Sequence, residues 1–212
     1  MPALALDCSF AGLSLGLFPP SGAPAVFTSA TPRSSDILHT QLLTLFEKSN
    51  QNPANLTHIT LTLGPGSFTG CRIGLATAQA FQVVNPSIHI IGVATLQALA
   101  CQIAAENPTN NQPISIVLDA AGNHLYHQAF SPSAQPLAPA TCGLAAEILA
   151  AIPTTHLLAA PTSLLLPRQP GLTFSTINPL ILHQMSQTPA HHLPLQPIYL
   201  KPLNYQTAAN HA

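Results

Sequence analysis

The chain has 212 residues and a formal net charge of −1, and Lys, Arg, Asp and Glu together make up only 5% of it. This length is enough for one large domain or two small ones with a well-buried core. The 47% of apolar residues argues against an intrinsically disordered chain. Five Lys and Arg residues create no basic field, which disfavours stand-alone nucleic-acid binding through phosphate neutralisation.

The sequence offers neither a membrane span nor an export signal. Residues 73–105 contain no Asp, Glu, Lys or Arg, but Asn85-Pro86 and several Gln and His residues interrupt the apolar run. Asp7 lies inside the first apolar run, and no positive charge precedes that run, which is atypical of a signal peptide. We therefore expect a cytoplasmic protein with no membrane partner.

The first half of the chain predicts the element order β-β-β-α-β-α-β-α. Alternating apolar residues and short turns indicate an antiparallel meander at the start, and helical spacing after N-cap candidates indicates the helices. The predicted strands are residues 3–9, 12–18, 25–28, 57–63 and 87–93, and the predicted helices are residues 37–48, 71–84 and 95–106.

Two of these helices have more apolar or small residues than one buried face requires. The first carries Leu and Phe on more than one stripe, whereas a helix between a sheet and water needs a single apolar face. The second has two pairs of small residues four apart, Gly74 with Ala78 and Ala76 with Ala80. Small residues at this spacing permit close approach of another helix, so both helices predict a partner helix.

Residues 107–113 resemble a linker and divide the chain into a first unit, 1–106, and a second unit, 114–212. The second unit predicts strands at 114–119, 125–130 and 157–160, and helices at 144–152 and 179–187. A proline-rich connection occupies 131–139, and the pattern from 189 to 212 is not diagnostic.

No metal site is expected from the cysteines or histidines. The four cysteines, which include no C-x-x-C pair, are expected to be small buried or half-buried thiols. None of the ten histidines lies four residues from another. His124 and His127, three apart in a predicted strand, should point to opposite faces.

The most informative segment is the glycine-rich loop at residues 64–74, GPGSFTGCRIG, which lies between a predicted strand and a predicted helix. Such a loop suits either an anion held by backbone N–H groups or a tight structural turn. Its spacing matches neither the P-loop, which needs a Lys after its last glycine, nor the dinucleotide fingerprint. Arg72, one of five cations, tilts the interpretation slightly towards a binding function.

This loop closely resembles the signature of the TsaB (also YeaZ) family, the dimerisation subunit of the bacterial machinery that makes threonylcarbamoyladenosine at position 37 of tRNA. Further resemblances are Leu-Asp-Cys-Ser at 6–9, His-Thr-Gln-Leu-Leu at 39–43, Gly-Val-Ala-Thr-Leu-Gln-Ala-Leu at 92–99 and Pro-Ile-Tyr-Leu-Lys at 197–201. The chain departs from the family at Cys71 and Gln41, and it lacks two arginines that the family often has after Asp119.

The resemblance implies an α/β fold of the actin/Hsp70/sugar-kinase type, with two ribonuclease-H-like lobes of which the second is reduced. It implies a non-catalytic scaffold that pairs with a TsaD-like catalytic subunit, works with a TsaE-like ATPase subunit and meets tRNA only through the complex. A homodimer is a further possibility. No intrinsic cofactor is implied, since ATP and threonylcarbamoyl-AMP would be held mainly by other subunits. The alternative is a free-standing ATP-binding phosphotransferase or ATPase of the same fold.

The candidate residues fall into two sets, with no catalytic or metal-binding residue in either. A possible nucleotide, anion or partner loop comprises Asp7, Ser9, Gly64, Gly66, Ser67, Thr69, Gly70 and Arg72. The candidate subunit interface comprises Leu38, His39, Leu42, Leu45, Phe46, Ile73, Gly74, Ala76, Thr77 and Ala80.

Overall fold

The computed structural model describes residues 2–10, 12–30, 34–167 and 170–201, which form two five-stranded sheets separated and flanked by helices. No helix within these ranges is both long enough and apolar enough to cross a bilayer.

The first sheet and its helices follow the predicted element order. The elements are β1 (Ala3–Asp7), β2 (Leu13–Phe18), β3 (Ala25–Ser29), α1 (Ser34–Lys48), β4 (His58–Thr62), α2 (Phe68–Val84), β5 (His89–Val93) and α3 (Thr95–Glu106). Strand β1 pairs antiparallel with β2 and parallel with β4, and β2 pairs antiparallel with β3, which confirms the predicted meander. The sheet order is β3-β2-β1-β4-β5.

The second sheet repeats the topology of the first with fewer helices. Its elements are β6 (Ile114–Asp119), β7 (His124–Phe130), β8 (Thr141–Leu144), α4 (Ala145–Ala151), β9 (Leu157–Pro161), β10 (Leu172–Phe174) and α5 (Pro179–Ser186), in the sheet order β10-β9-β6-β7-β8. Strand β6 pairs antiparallel with β7 and parallel with β9, as β1 does with β2 and β4. The described residues between β9 and β10 form no helix, so nothing there corresponds to α2.

Strand β1 is buried on both faces and therefore separates two cores. Leu4 and Leu6 pack into one cluster with α1 and the inner side of α2, whereas Ala3 and Ala5 pack into another with α3 and α5. Because side chains alternate across a strand, this division follows from the sequence alone. The second cluster also contains residues of β6, so α3 and α5 lie between the two sheets.

The C-terminal part of the chain returns to the first sheet. In α5, the ring of His183 stacks on that of Phe18 in β2 with centroids 4.1 Å apart. Farther on, the Ile198 N–H donates to the Leu63 carbonyl at 2.7 Å. The Lys201 ammonium then donates to two carbonyls of the β6–β7 turn, at 2.9 and 2.8 Å. Residues 193–201 therefore form a strap that connects the two lobes.

Two glycines of the loop between β4 and α2 have no room for a side chain. A Cβ atom at Gly70 would lie 1.8 Å from the Cys8 carbonyl oxygen, and one at Gly66 would lie 2.1 Å from the Ser9 carbonyl oxygen. Both obstacles are backbone atoms, which cannot swing aside. The loop therefore packs directly against the backbone that leaves β1, and this contact requires glycine.

Gly70→Ala should destabilise the protein by about 3 kcal/mol or prevent folding, because the added methyl overlaps backbone. Gly74→Ala is the matched control, since a Cβ atom there meets only side chains at 3.8 Å or beyond. Replacing a helical glycine by alanine should then be neutral or stabilising by up to about 1 kcal/mol. Urea unfolding of both variants measures the difference, and equal stabilities would contradict this account of the loop.

Candidate functional site

The glycine-rich loop is held by hydrogen bonds to neighbouring elements. The Ser67 N–H donates to the Ser9 carbonyl at 2.7 Å, and the Thr95 N–H donates to the Gly64 carbonyl at 2.8 Å. The Ser67 hydroxyl accepts from the Gly70 N–H at 3.1 Å and caps α2, which begins three residues earlier than predicted. The loop thus fixes the start of α2 against β1 and α3.

Asp7, at the end of β1, is the centre of a buried polar network. Its Oδ1 accepts hydrogen bonds from the Ser9 N–H at 2.9 Å, from the Ser9 hydroxyl at 2.7 Å and from the Thr62 hydroxyl. The Ser9 oxygen also lies 2.7 Å from the Thr95 hydroxyl oxygen. Because the Ser9 hydrogen already points to Asp7, Thr95 must donate to Ser9. The network joins β1, β4 and α3 below the loop.

The Asp7 carboxyl group is sealed from solvent. The residue is 1% exposed, and its buried Oδ2 atom has no hydrogen-bond partner. Burial raises the pKa of Asp7, although hydrogen bonds from Thr62 and Ser9 act in the opposite direction. Burial and the nearby Asp7 raise the pKa of the Cys71 thiol to about 12. This thiol is therefore a poor nucleophile at neutral pH.

The predicted loop residues divide into an inner set and an outer set. Asp7, Ser9, Gly64 and Gly70 are buried together, and Gly66 contacts the Ser9 backbone. Ser67, Thr69 and Arg72 are exposed at the start of α2. Of the two interpretations left open for the glycines, the tight structural turn accounts for Gly66 and Gly70. The outer set remains on the surface, available to a partner.

Half of the predicted interface residues face inward. The apolar residues chosen on α1, together with Gly74 on α2, pack on the first sheet and are not on the surface; they are Leu38, Leu42, Leu45, Phe46 and Gly74. The reason is that these residues form the single stripe that α1 and α2 turn to the sheet. His39, Ala76 and Ala80 are exposed, whereas Ile73 and Thr77 are half-buried.

Other apolar residues take their place on the outer surface. Leu43 on α1 is 64% exposed, and Val83 and Val84 at the end of α2 are 82% and 79% exposed. The sequence did offer a signal for Leu43, because this apolar residue lies outside the single stripe of α1 that packs on the sheet. Phe68 and Tyr199, which are also exposed, had no sequence signal that marked them as surface residues.

The second lobe has a shallower site at the equivalent end of its sheet. Asp119 at the end of β6 is exposed, and its Oδ1 accepts from the Ala121 N–H at 2.9 Å. A cleft of about 340 Å³ lies beside it, and its lining includes five leucine side chains from β7, α4 and the loop after β9. In the parts of the chain described, no three His, Cys, Asp or Glu side chains are grouped so as to hold a metal ion.

Comparison with known proteins identifies the family. The family model described as "TsaD: tRNA N6-adenosine threonylcarbamoyltransferase" matches residues 28–151, which is more than half of the chain. No curated protein matches the chain in sequence.

Two solved structures share the fold over almost the whole chain. YeaZ from Pseudomonas aeruginosa aligns with a TM-score of 0.74 at 17% identity, covering 94% of this chain and 100% of that one. A structure described as an uncharacterised protein with similarity to peptidase YeaZ, also from Pseudomonas aeruginosa, aligns with the same TM-score at 18% identity, covering 94% and 99%. The predicted α/β architecture of two lobes, the second with fewer helices, is confirmed by the two five-stranded sheets and by this shared fold. The chain has the fold of YeaZ and belongs to the TsaD (tRNA N6-adenosine threonylcarbamoyltransferase) family.

Proposed function

We propose that this chain is a non-catalytic scaffold subunit that binds a TsaD-like catalytic subunit for N6-threonylcarbamoylation of adenosine 37 in tRNA, in the cytoplasm. Membership of the TsaD family supports the reaction. The observation that carries the scaffold role is an uncovered apolar surface on α1 and α2, which we name the helix ridge. It consists of Leu43, Ala76, Ala80, Val83 and Val84, all of them exposed.

The helix ridge has the composition of a protein interface. Large aliphatic side chains exposed on two neighbouring helices are costly in water and favourable against a partner. The alanines between them let the backbone of a partner helix approach closely. Only four charged residues, Asp36, Glu47, Lys48 and Arg72, lie on α1 and α2, so little charge would be desolvated on association.

The low number of cationic residues bears on how tRNA and the nucleotides would be bound. Five Lys and Arg residues cannot neutralise many phosphates, so tRNA would be held mainly by other subunits. ATP and threonylcarbamoyl-AMP would likewise be bound by the catalytic and TsaE-like ATPase subunits. A homodimer through the same ridge would compete with the catalytic subunit, because both would cover the same surface.

The alternative, an ATP-binding phosphotransferase or ATPase, is less well supported by the site. A carboxylate that holds Mg²⁺ must present oxygen atoms to the ion. Asp7 is buried, its Oδ1 accepts three hydrogen bonds from the protein, and the loop glycines close over the adjacent backbone. Calorimetric titration of the isolated chain with Mg-ATP distinguishes the two functions: we expect no sub-millimolar binding, and such binding would favour the alternative.

Ala76→Glu should abolish pairing with the TsaD-like subunit while leaving the fold intact. Burying a carboxylate in an apolar interface costs several kcal/mol even where it can pair with Arg72, four residues earlier on the same side of α2, and this cost weakens association by about 100-fold or more. Ala150→Glu is the matched control, because Ala150 is an exposed alanine on α4, in the second lobe. Analytical size exclusion with the catalytic subunit measures both.

Reconstituted tRNA modification gives the functional readout of the same variants. Modified adenosine 37 should appear with the wild-type chain and with Ala150→Glu, and it should be lost with Ala76→Glu or without the chain. Complex formation unaffected by Ala76→Glu would place the interface elsewhere. Modification that proceeds without this chain would disprove the scaffold role.

Comparison of the wild type with Asp7→Asn should show, through the pH dependence of unfolding, that the Asp7 carboxyl group has a structural role. Because burial raises the pKa of Asp7 above its ordinary value of 3.8, the folded state keeps this proton to a higher pH than the unfolded state. The contribution of Asp7 to stability is therefore complete below pH 3.8 and is lost as pH rises through the folded-state pKa.

Relative to Asp7→Asn, which cannot ionise, the wild type should lose stability as the pH rises above about 4, by at most about 1.4 kcal/mol per pH unit. Urea unfolding at a series of pH values measures the difference between the two proteins, in which the histidine contributions cancel. A difference that does not change with pH, or that changes in the opposite direction, would show that the folded state does not hold this proton.

A further inference from the structure

Two exposed aromatic rings touch at the start of α2. Phe68, its first residue, is 45% exposed, and Tyr199, from the strap, is 48% exposed, with ring centroids 5.0 Å apart. Each ring could bury a large apolar area against a partner. The two residues come from parts of the chain about 130 positions apart, so the fold itself brings them together.

Arg72 completes this group, which we name the aromatic anchor. Its guanidinium carbon lies 5.2 Å from the centroid of the Phe68 ring. Arg72 is the only charged residue of α2, and no carboxylate of the described residues forms a salt bridge with it. The guanidinium carries five N–H donors in a planar fork, so it can bind a carboxylate with two parallel hydrogen bonds.

The anchor is continuous with the helix ridge. Arg72, Ala76, Ala80 and Val83 are exposed and are spaced four, four and three residues apart, which places them along one side of α2. The backbone at Tyr199 is already fixed, because the preceding Ile198 N–H binds the Leu63 carbonyl and Lys201 binds the β6–β7 turn. Binding of a partner at the anchor would therefore require little further ordering of the backbone of this chain.

We propose that Phe68, Arg72 and Tyr199 anchor one end of the subunit interface by receiving an apolar side chain of the partner protein beside a carboxylate that pairs with Arg72. This inference rests on the proposed function and names the chemistry of the partner. A protein partner is favoured over RNA because one carboxylate satisfies Arg72, whereas RNA phosphates require several cations and the chain has five in total. Arginine and tyrosine are also among the residues that most often dominate binding at protein interfaces.

The test compares the affinity of the TsaD-like subunit for Phe68→Ala, Tyr199→Ala and Arg72→Met, by calorimetry at low and high salt. Each aromatic truncation should weaken binding by about 30-fold. Arg72→Met should weaken binding and reduce its salt dependence, since a charge pair is lost. Leu165→Ala is the control, because Leu165 is an exposed apolar residue of the second lobe, and its affinity should equal that of the wild type.

The outcomes separate this inference from the proposed function. If Ala76→Glu blocks association but the three anchor variants bind normally, the anchor is overturned and the scaffold role stands. If the wild type does not bind the catalytic subunit at all, both fail. If the anchor variants assemble normally but the complex loses affinity for a tRNA anticodon stem-loop, the patch contacts RNA and this inference is wrong. Should Phe68→Ala fold poorly by circular dichroism, Tyr199→Ala and Arg72→Met carry the test.

Discussion

The close approach of the glycine-rich loop to the backbone leaving β1 is the contact on which the candidate surface depends. Gly66 and Gly70 meet the carbonyls of Ser9 and Cys8 at distances that leave no space for a methyl group. Because this contact fixes the N-terminus of α2, it also fixes the direction in which the whole helix presents its outer side. Glycines that serve as an anion cradle in other loops serve here to set the position of a helix.

The buried polar network below the loop involves the same stretch of backbone after β1. Asp7 receives three hydrogen bonds on one oxygen and none on the other, in a place that water does not reach. Burial favours the neutral acid, and the hydrogen bonds favour the carboxylate, with burial the larger effect. An acidic residue at the end of a first strand can thus join β1 to β4 through donors from Ser9 and Thr62, and Ser9 extends the network to Thr95 of α3, without the carboxyl group being presented to a ligand.

The sequence predicted the order of the elements well because apolar periodicity and glycine or proline punctuation are local signals. It failed where the outcome depends on which side of an element meets a neighbour. In α2, Gly74 with Ala78 and Ala76 with Ala80 are equivalent pairs on opposite sides of the helix, since positions two apart are about 200° around it. The sheet covers the first pair, and the sequence contains nothing that decides between them.

The same limit of local patterns applies to other parts of the chain. Leu38, Leu42 and Leu45 look like interface residues until the sheet that covers them is known. Strands β8 and β10 have four and three residues, too short for a period of two to be visible. The return of α5 to the first sheet is a long-range pairing that local patterns do not encode. The anchor depends on it, because the strap that carries Tyr199 follows α5.

The arrangement of the two lobes suits a fixed surface better than a closing cleft. Enzymes that close around a substrate move one domain against another through hinges. Here one continuous apolar cluster includes residues of β1, α3, β6 and α5, and the strap ties the first lobe to the β6–β7 turn through Lys201. Relative motion of the lobes would disrupt both. A rigid frame of this kind favours a chain whose contribution is to hold the helix ridge and the aromatic anchor in one orientation for a partner.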